Sequence, residues 1–247
     1  IETLYFVHFV KFFPALLAAV ILLSIFTVHS RSFYSAWKLT HPKRRIPDPD
    51  IPAQDKKLRF EYVTFREATG KLALKGCWFP AGESKKTVIL CHGYQQNRFP
   101  FGALSLDFIK GFIELGYNVL TFDFRNCGKS EGRITSVGFY ERQDLAGAIN
   151  WARQKGSSRI YVWGVSMGAA TGIITAAENK AVNGVIADCP FADLETYLKK
   201  NLPLWSNLPS WPFTRVIMFY MKLITGIDSG RVSPVRALEV SAPIPVL

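Results

Sequence analysis

The sequence predicts an α/β protein: a mostly parallel sheet with helices on both faces, preceded by an N-terminal transmembrane helix. Three observations carry this. Short β-branched runs alternate with helical patterns from about Thr87 onward. Two of the runs, Thr87-Val88-Ile89-Leu90-Cys91 and Gly184-Val185-Ile186-Ala187-Asp188, are almost wholly apolar, as in strands covered on both faces. Phe12 to Val28 is an uncharged apolar run, near the lower limit for crossing a bilayer.

Apolar residues from Leu4 to Val10 extend that run, with Lys11 and Pro14 as interruptions. Nothing polar recurs at helical spacing, which argues against an amphipathic surface helix. Val28-His29-Ser30 is a poor cleavage site for a signal peptide. A buried core helix is the other alternative. Residues 1–30 are therefore read as an uncleaved anchor with the lipid bilayer as partner. The chain opens on Ile1 rather than methionine, and residues ahead of it are expected. Residues 31–57 read as an extended basic linker, because Pro42, Pro47, Pro49 and Pro52 forbid a continuous helix. Arg31, Lys38, Lys43, Arg44 and Arg45 lie on this side of the apolar run and Lys11 on the other. The positive-inside rule then puts the large domain in the cytoplasm.

The globular domain is expected over 58–247. Phe60–Phe65 and Leu72–Phe79 read as a hairpin joined at Ala68-Thr69-Gly70. The strand at Thr87–Cys91 is followed by a helix around Ala103–Leu115 and a strand at Asn118–Asp123. A helix over about Phe139–Gln154, a strand from Arg159, a helix over Ala169–Ala177 and the strand at Gly184–Asp188 complete the alternation.

Composition narrows the function. At 247 residues and 49% hydrophobic, the chain has material for one large core. Its net charge of +11 invites a nucleic-acid reading. No compact basic run exists beyond Lys43-Arg44-Arg45, and no zinc spacing occurs, so an anionic membrane is the preferred partner and no nucleic acid is expected. Cys77, Cys91, Cys127 and Cys189 fit no metal or redox motif, and buried free thiols are expected. No cofactor or metal is implied.

Gly164-Val165-Ser166-Met167-Gly168 lies between the strand Arg159–Trp163 and the helix Ala169–Ala177. Strand, Gly-x-Ser-x-Gly, helix is the context of a nucleophile elbow. Ser166 is the candidate nucleophile; an ordinary glycine-rich turn is the alternative. Side chains at Gly164 and Gly168 would collide with neighbouring backbone. His92-Gly93-Tyr94 follows directly on the strand ending at Cys91. The backbone N–H of Tyr94, with that of Met167, would form an oxyanion hole, each donor contributing about 2.7–4 kcal/mol to the barrier reduction. His92 reads as a structural hydrogen-bonding group rather than the base. Asp188 is a weaker candidate acid, and Arg125 with Asp144 a structural ion pair. Gly128-Lys129-Ser130 resembles the end of a phosphate loop, but Asp123 stands where the first glycine is needed, so nucleotide binding is rejected.

With Cys91-His92-Gly93, Phe122–Ser130, Thr135–Glu141, Gly164–Gly168 and Ala187–Asp193, the chain resembles the α/β-hydrolases. It is most similar in pattern to the membrane-anchored bacterial serine hydrolases of the YqkD-like group. The resemblance implies an eight-stranded sheet whose first two strands form the antiparallel edge. It also implies an acid after the seventh strand and a histidine after the eighth. Here Pro243–Leu247 reads as the middle of strand seven, so the last strands and helices, with the triad acid and base, are expected beyond Leu247. As given, the chain is expected to be inactive. Phe191–Val232 is expected to form an apolar lid or cap at about 191–232; the alternative packs Phe213–Ile224 onto the sheet. The implied function is a carboxylesterase- or lipase-like serine hydrolase acting through an acyl-Ser166 on an apolar acyl ester. The alternatives are a non-catalytic membrane-tethered binding module, or an amide or thioester hydrolase.

Overall fold

The computed structural model describes residues 2–240 and 245–247, with side chains from Phe12 onward. Six strands form one sheet in the order β1-β2-β4-β3-β5-β6. They are β1 (Glu61–Arg66), β2 (Ala73–Phe79), β3 (Lys86–Cys91), β4 (Asn118–Phe122), β5 (Arg159–Val165) and β6 (Val182–Asp188). β2 pairs antiparallel with both β1 and β4, and the other pairings are parallel.

Successive residues of a strand point to opposite faces, so a continuous apolar strand feeds two cores. Ile89, Leu120, Phe122 and Val162 bury against α3 (Glu141–Gln154) and α4 (Met167–Glu178). Val88, Leu90, Val119 and Phe79 bury on the other face with Leu106 and Ile109 of α2 (Ser105–Glu114). α2 is shorter than expected because Gly102–Leu104 forms a tight 3-10 turn, with Gly102 at φ 58°. α3 starts at Glu141 rather than Phe139, because Val137 (φ 56°) and Gly138 (φ 115°) leave the helical region.

The boundary between anchor and linker is corrected. One helix, α1, runs Glu2–Thr40, so residues 31–40 are helical rather than extended. After Pro14 the next proline is Pro42, and the clash it imposes on the preceding residue stops the helix there. α1 changes character along its length. From Phe12 to Phe26 its side chains are exposed, and Phe12–Thr40 is a candidate membrane span by length and apolar composition. From Ser32 on, Ser32, Ala36 and Thr40 are fully buried at a spacing of four, one stripe of small residues facing the protein. Beyond it the linker packs rather than floats: Ile51 and Pro52 are buried, and the Arg44 guanidinium donates to Ser130 O at 2.6 Å.

Between β6 and the chain end lie α5 (Leu194–Ser206), α6 (Ser210–Thr225) and α7 (Pro234–Val240). The main neighbours of α6 are α1 and α5, not the sheet, which corrects the alternative offered for Phe213–Ile224. Ala36 of α1, Ala170 and Ile174 of α4, Leu198 and Leu202 of α5 and Ile217 of α6 share one core. Of the expected seventh strand, Pro243 and Ile244 lie outside the described residues. Pro245–Leu247 runs parallel to β6: Val185 N–H donates to Pro245 O at 2.9 Å and Leu247 N–H to Val185 O at 2.9 Å.

Candidate active site

The chain leaves β3 for β4 on one side, then crosses back to β5 on the other. The carboxyl ends of β3 and β5 thus flank the point where the sheet order reverses, where open α/β sheets leave a crevice for ligands. The two motifs singled out in the sequence sit there. Cys91 pairs with Gly164, so His92-Gly93-Tyr94 and Val165-Ser166-Met167 leave the sheet side by side.

Ser166 occupies φ 51°, ψ −112° at the N-cap of α4. This is a sparsely populated region for a residue with a Cβ, costing about 1–3 kcal/mol unless its surroundings impose it. They do. Ser166 N–H donates to Asp188 O at 2.8 Å, and Ser166 O accepts from Ala170 N–H at 3.0 Å. The glycines permit the turn. A Cβ on Gly164 would lie 2.5 Å from Ala169 N, and one on Gly168 would overlap Cys91 O and come within 2.7 Å of His92 O. Ser166 itself stays half-buried.

The loop after β3 is pinned locally. Gly93 N–H donates to Gln96 Oε1 at 2.7 Å, and a Cβ on Gly93 would come within 2.7 Å of that oxygen and in ordinary contact, 3.5 Å, with Val165 O. Among the described residues, no protein acceptor is found for the backbone N–H of Tyr94 or of Met167. The Tyr94 hydroxyl instead ties the loop to the anchor helix, donating to Leu39 O at 2.7 Å. Burial pushes its pKa up to about 12.

Residues 86–216 match the family model for the alpha/beta hydrolase fold. This chain belongs to the α/β-hydrolases. The likeness extends to individual proteins. It is 35% identical over 170 residues to the uncharacterized protein YqkD of Bacillus subtilis, covering 67% of this chain and 54% of that one. It is 26% identical over 192 residues to the lysophosphatidylserine lipase ABHD12 of Danio rerio, covering 74% of this chain and 47% of that one. Among solved structures, the Pyrococcus furiosus esterase Pf2001 superposes with a TM-score of 0.65 at 28% identity, covering 85% of this chain and 75% of that one. The chain spans about half the length of the curated relatives it matches.

The described histidines of this α/β-hydrolase have structural partners. His92 is buried and accepts from Phe124 N–H at Nε2 (3.1 Å). Its proton therefore sits on Nδ1, which donates to Gly93 O at 2.7 Å. Burial lowers its pKa, and the ring is a neutral strut between two loops. His29 of α1 bonds to the Tyr220 hydroxyl at 2.9 Å, and His41, just past the end of α1, stacks on Trp37. Asp188 presents its carboxylate to solvent at the end of β6, and no described histidine partners it.

Beneath the crevice lie buried carboxylates. Asp123 accepts from Arg98 N–H (2.7 Å), Nε (3.1 Å) and Nη2 (2.5 Å), and from Lys129 N–H (2.9 Å). A Cβ on Gly128 would strike that carboxylate. The Gly128-Lys129-Ser130 turn thus wraps an internal anion, in the place a phosphate would need. Arg125 and Asp144 form the expected ion pair, Nη2 to Oδ1 at 2.6 Å. Asp144's hydrogen bonds and charge outweigh the effect of burial and raise the Arg125 pKa. Glu141 accepts from Ser136 N–H (3.0 Å), Ser136 Oγ (2.6 Å) and Gly138 N–H (2.8 Å). The Arg98 pair escaped the sequence reading. Its signal was Asp123 at the end of an apolar strand, a buried charge that demands a cation. Cys77, Cys91 and Cys127 are buried, and burial pushes the Cys77 thiol up to about 12. Cys189 is exposed, contrary to expectation, because it sits in a turn after β6 at φ 46°.

Proposed function

We propose that this chain carries the nucleophile of a membrane-bound serine hydrolase that cleaves an apolar acyl ester. The observation that carries the reading is the strained strand-to-helix turn holding Ser166 half-exposed between two glycines that admit no side chain. Ser166 Oγ attacks the acyl carbon, and the carbonyl electron pair moves onto its oxygen. The N–H groups of Met167 and Tyr94 are the proposed donors to that oxyanion. Collapse re-forms the carbonyl, breaks the bond to the alcohol oxygen and leaves acyl-Ser166; the alcohol departs with the proton the serine gave up. Water repeats the attack and releases the acid. The likeness to hydrolases implies an acid after the seventh strand and, after the eighth, the histidine that accepts the proton. The N-terminus of α4 adds a partial positive charge at the oxyanion. An apolar acyl group fits the exposed Trp205, Trp211 and Phe219 of α5 and α6. The relatives named as an esterase and a lipase support the reaction class. The basic residues after the apolar run favour a cytoplasmic domain.

In the full-length protein, Ser166→Ala is expected to abolish labelling by a fluorophosphonate and to reduce ester turnover on the order of 10⁶-fold, with the thermal unfolding curve unchanged. Undiminished labelling of the variant would place the nucleophile elsewhere. A second reading, a tethered binding module on the same fold, is favoured by the lack of any described histidine free to serve Ser166. It predicts no labelling of the unmodified protein at all.

A further inference from the structure

The helical end of α1 does more than reach the domain. A cavity of about 700 Å³ opens between it, the loop after β3 and the turn joining α5 to α6. This lies in the range of small-molecule sites. Arg31, Tyr34 and Lys38 of α1 form one wall, Tyr94 and Gln95 the floor, and Trp205 the opposite side. Among the described residues no acidic side chain lines it and neither Arg31 nor Lys38 has an ion-pair partner, while the Lys38 ammonium lies 5.6 Å from the centre of the Tyr34 ring. Tyr94 belongs both to this cavity and to the loop packed against the Ser166 turn. The uncharged apolar run of the same helix, Phe12 to Val28, ends a few residues before Arg31.

We propose that this cavity is a headgroup site for single-chain anionic amphiphiles, such as lysophospholipids with a net negative charge. Arg31 and Lys38 act there as specificity-determining residues. The cations meet the headgroup charge where the helix leaves the bilayer, and Trp205 and Tyr34 offer amphipathic rings at the level where lipid headgroups lie. The acyl chain then need not cross bulk water to reach the crevice. This rests on the reading of Ser166 as the nucleophile, and deepens it by naming the substrate class.

The test uses full-length protein in detergent and two substrates of equal acyl length, octanoyl lysophosphatidylglycerol and octanoyl lysophosphatidylcholine, below their critical micelle concentrations. The unmodified protein is expected to favour the anionic substrate about tenfold in kcat/KM, through KM. Arg31→Gln with Lys38→Gln should bring the ratio near one, Arg31→Lys should retain the preference, and Arg31→Glu with Lys38→Glu should reverse it. A preference unchanged in the double Gln variant would overturn the proposal. It would assign the effect to the diffuse charge of the 30 lysines and arginines, of which two hardly matter. Absence of a preference in the unmodified protein would overturn it too. Binding of a fluorescent octanoyl lysophosphatidylglycerol to Ser166→Ala separates the two readings. If the Gln pair abolishes that binding while fluorophosphonate labelling fails in the unmodified protein, the headgroup site stands and the hydrolase reading falls.

Discussion

Below Ser166 the crevice is held by backbone and buried charge; above it, by small side chains on one helix and a few hydrogen bonds. The floor leaves no freedom. Gly164 and Gly168 touch neighbouring backbone, His92 bridges two loops, and Asp123 and Asp144 each hold a buried guanidinium. The roof is lighter: Ser32, Ala36 and Thr40 against α6, Tyr220 on His29, and the Tyr94 hydroxyl on Leu39. A rigid floor suits groups that must be placed before chemistry begins, whereas a lightly held roof suits a surface that must admit a ligand. The contrast also ranks what substitutions should do.

The largest effect belongs to the floor. Arg98→Met removes the cation facing Asp123 and leaves a carboxylate buried at 0% exposure. Breaking such a pair on one side costs about 3–5 kcal/mol. Thermal unfolding should show a drop of roughly 6–20 °C for a domain of this size. A shift within a degree or two would mean that water reaches Asp123 and the floor is not dry. Gly168→Ala comes next: its methyl must displace the Cys91–His92 backbone, an overpacking of about 1–3 kcal/mol. It should also reduce fluorophosphonate labelling of Ser166 in the full-length protein more than it lowers Tm, because the backbone it displaces positions both proposed oxyanion donors.

This difference matches what the sequence disclosed. The floor was legible because backbone geometry dictates composition: only glycine fits at 164 and 168, and two-faced burial writes an apolar run into β3. β6, whose residues from Ile186 to Asp188 are half-buried or exposed, is not covered on both faces as its apolar run suggested. The roof was hidden for the opposite reason. Ser32, Ala36 and Thr40 are small and polar or weakly apolar, so their stripe raises no hydrophobic signal, and the prolines from Pro42 on drew the linker boundary forward to Arg31. The four-residue spacing of small side chains was the cue, and it needed the position of α6 to acquire meaning. The Arg98–Asp123 pair stayed hidden because its partners lie 25 residues apart and meet only after β3 and β4 pair.

His92 gives the comparison a pH axis. Its folded pKa is lowered from the ordinary 6.5, chiefly by burial. A depressed value means that the unfolded chain binds the proton more readily. The contribution is therefore intact above about pH 6.5 and is lost as pH falls below it, by up to about 1.4 kcal/mol per pH unit. His92→Gln cannot titrate, so its stability deficit relative to the unmodified protein should shrink between pH 7.5 and 5 in denaturant titrations. A deficit constant across that range would show that the imidazole keeps its two bonds while protonated, which Phe124 N–H, as a donor to Nε2, forbids.

The smallest expected effect tests one tie between floor and roof. Tyr94→Phe keeps the ring and removes only the hydroxyl that donates to Leu39 O. A lost hydrogen bond of this kind costs about 0.5–1.5 kcal/mol, toward the lower end here because Leu39 is half-buried and water can replace the donor. The loss should appear locally, not globally. Unfolding of the floor should move by no more than a few degrees, while amide exchange in residues 36–41 should quicken severalfold. The pKa of about 12 keeps the hydroxyl protonated, so that difference should be the same at pH 6 and pH 9 once intrinsic exchange is divided out. Combined with Ala36→Leu, which forces the stripe away from α6, the two losses should be non-additive, because a helix already displaced has no carbonyl in reach of Tyr94. Strict additivity would mean that the small-residue stripe and the hydroxyl hold α1 independently of one another.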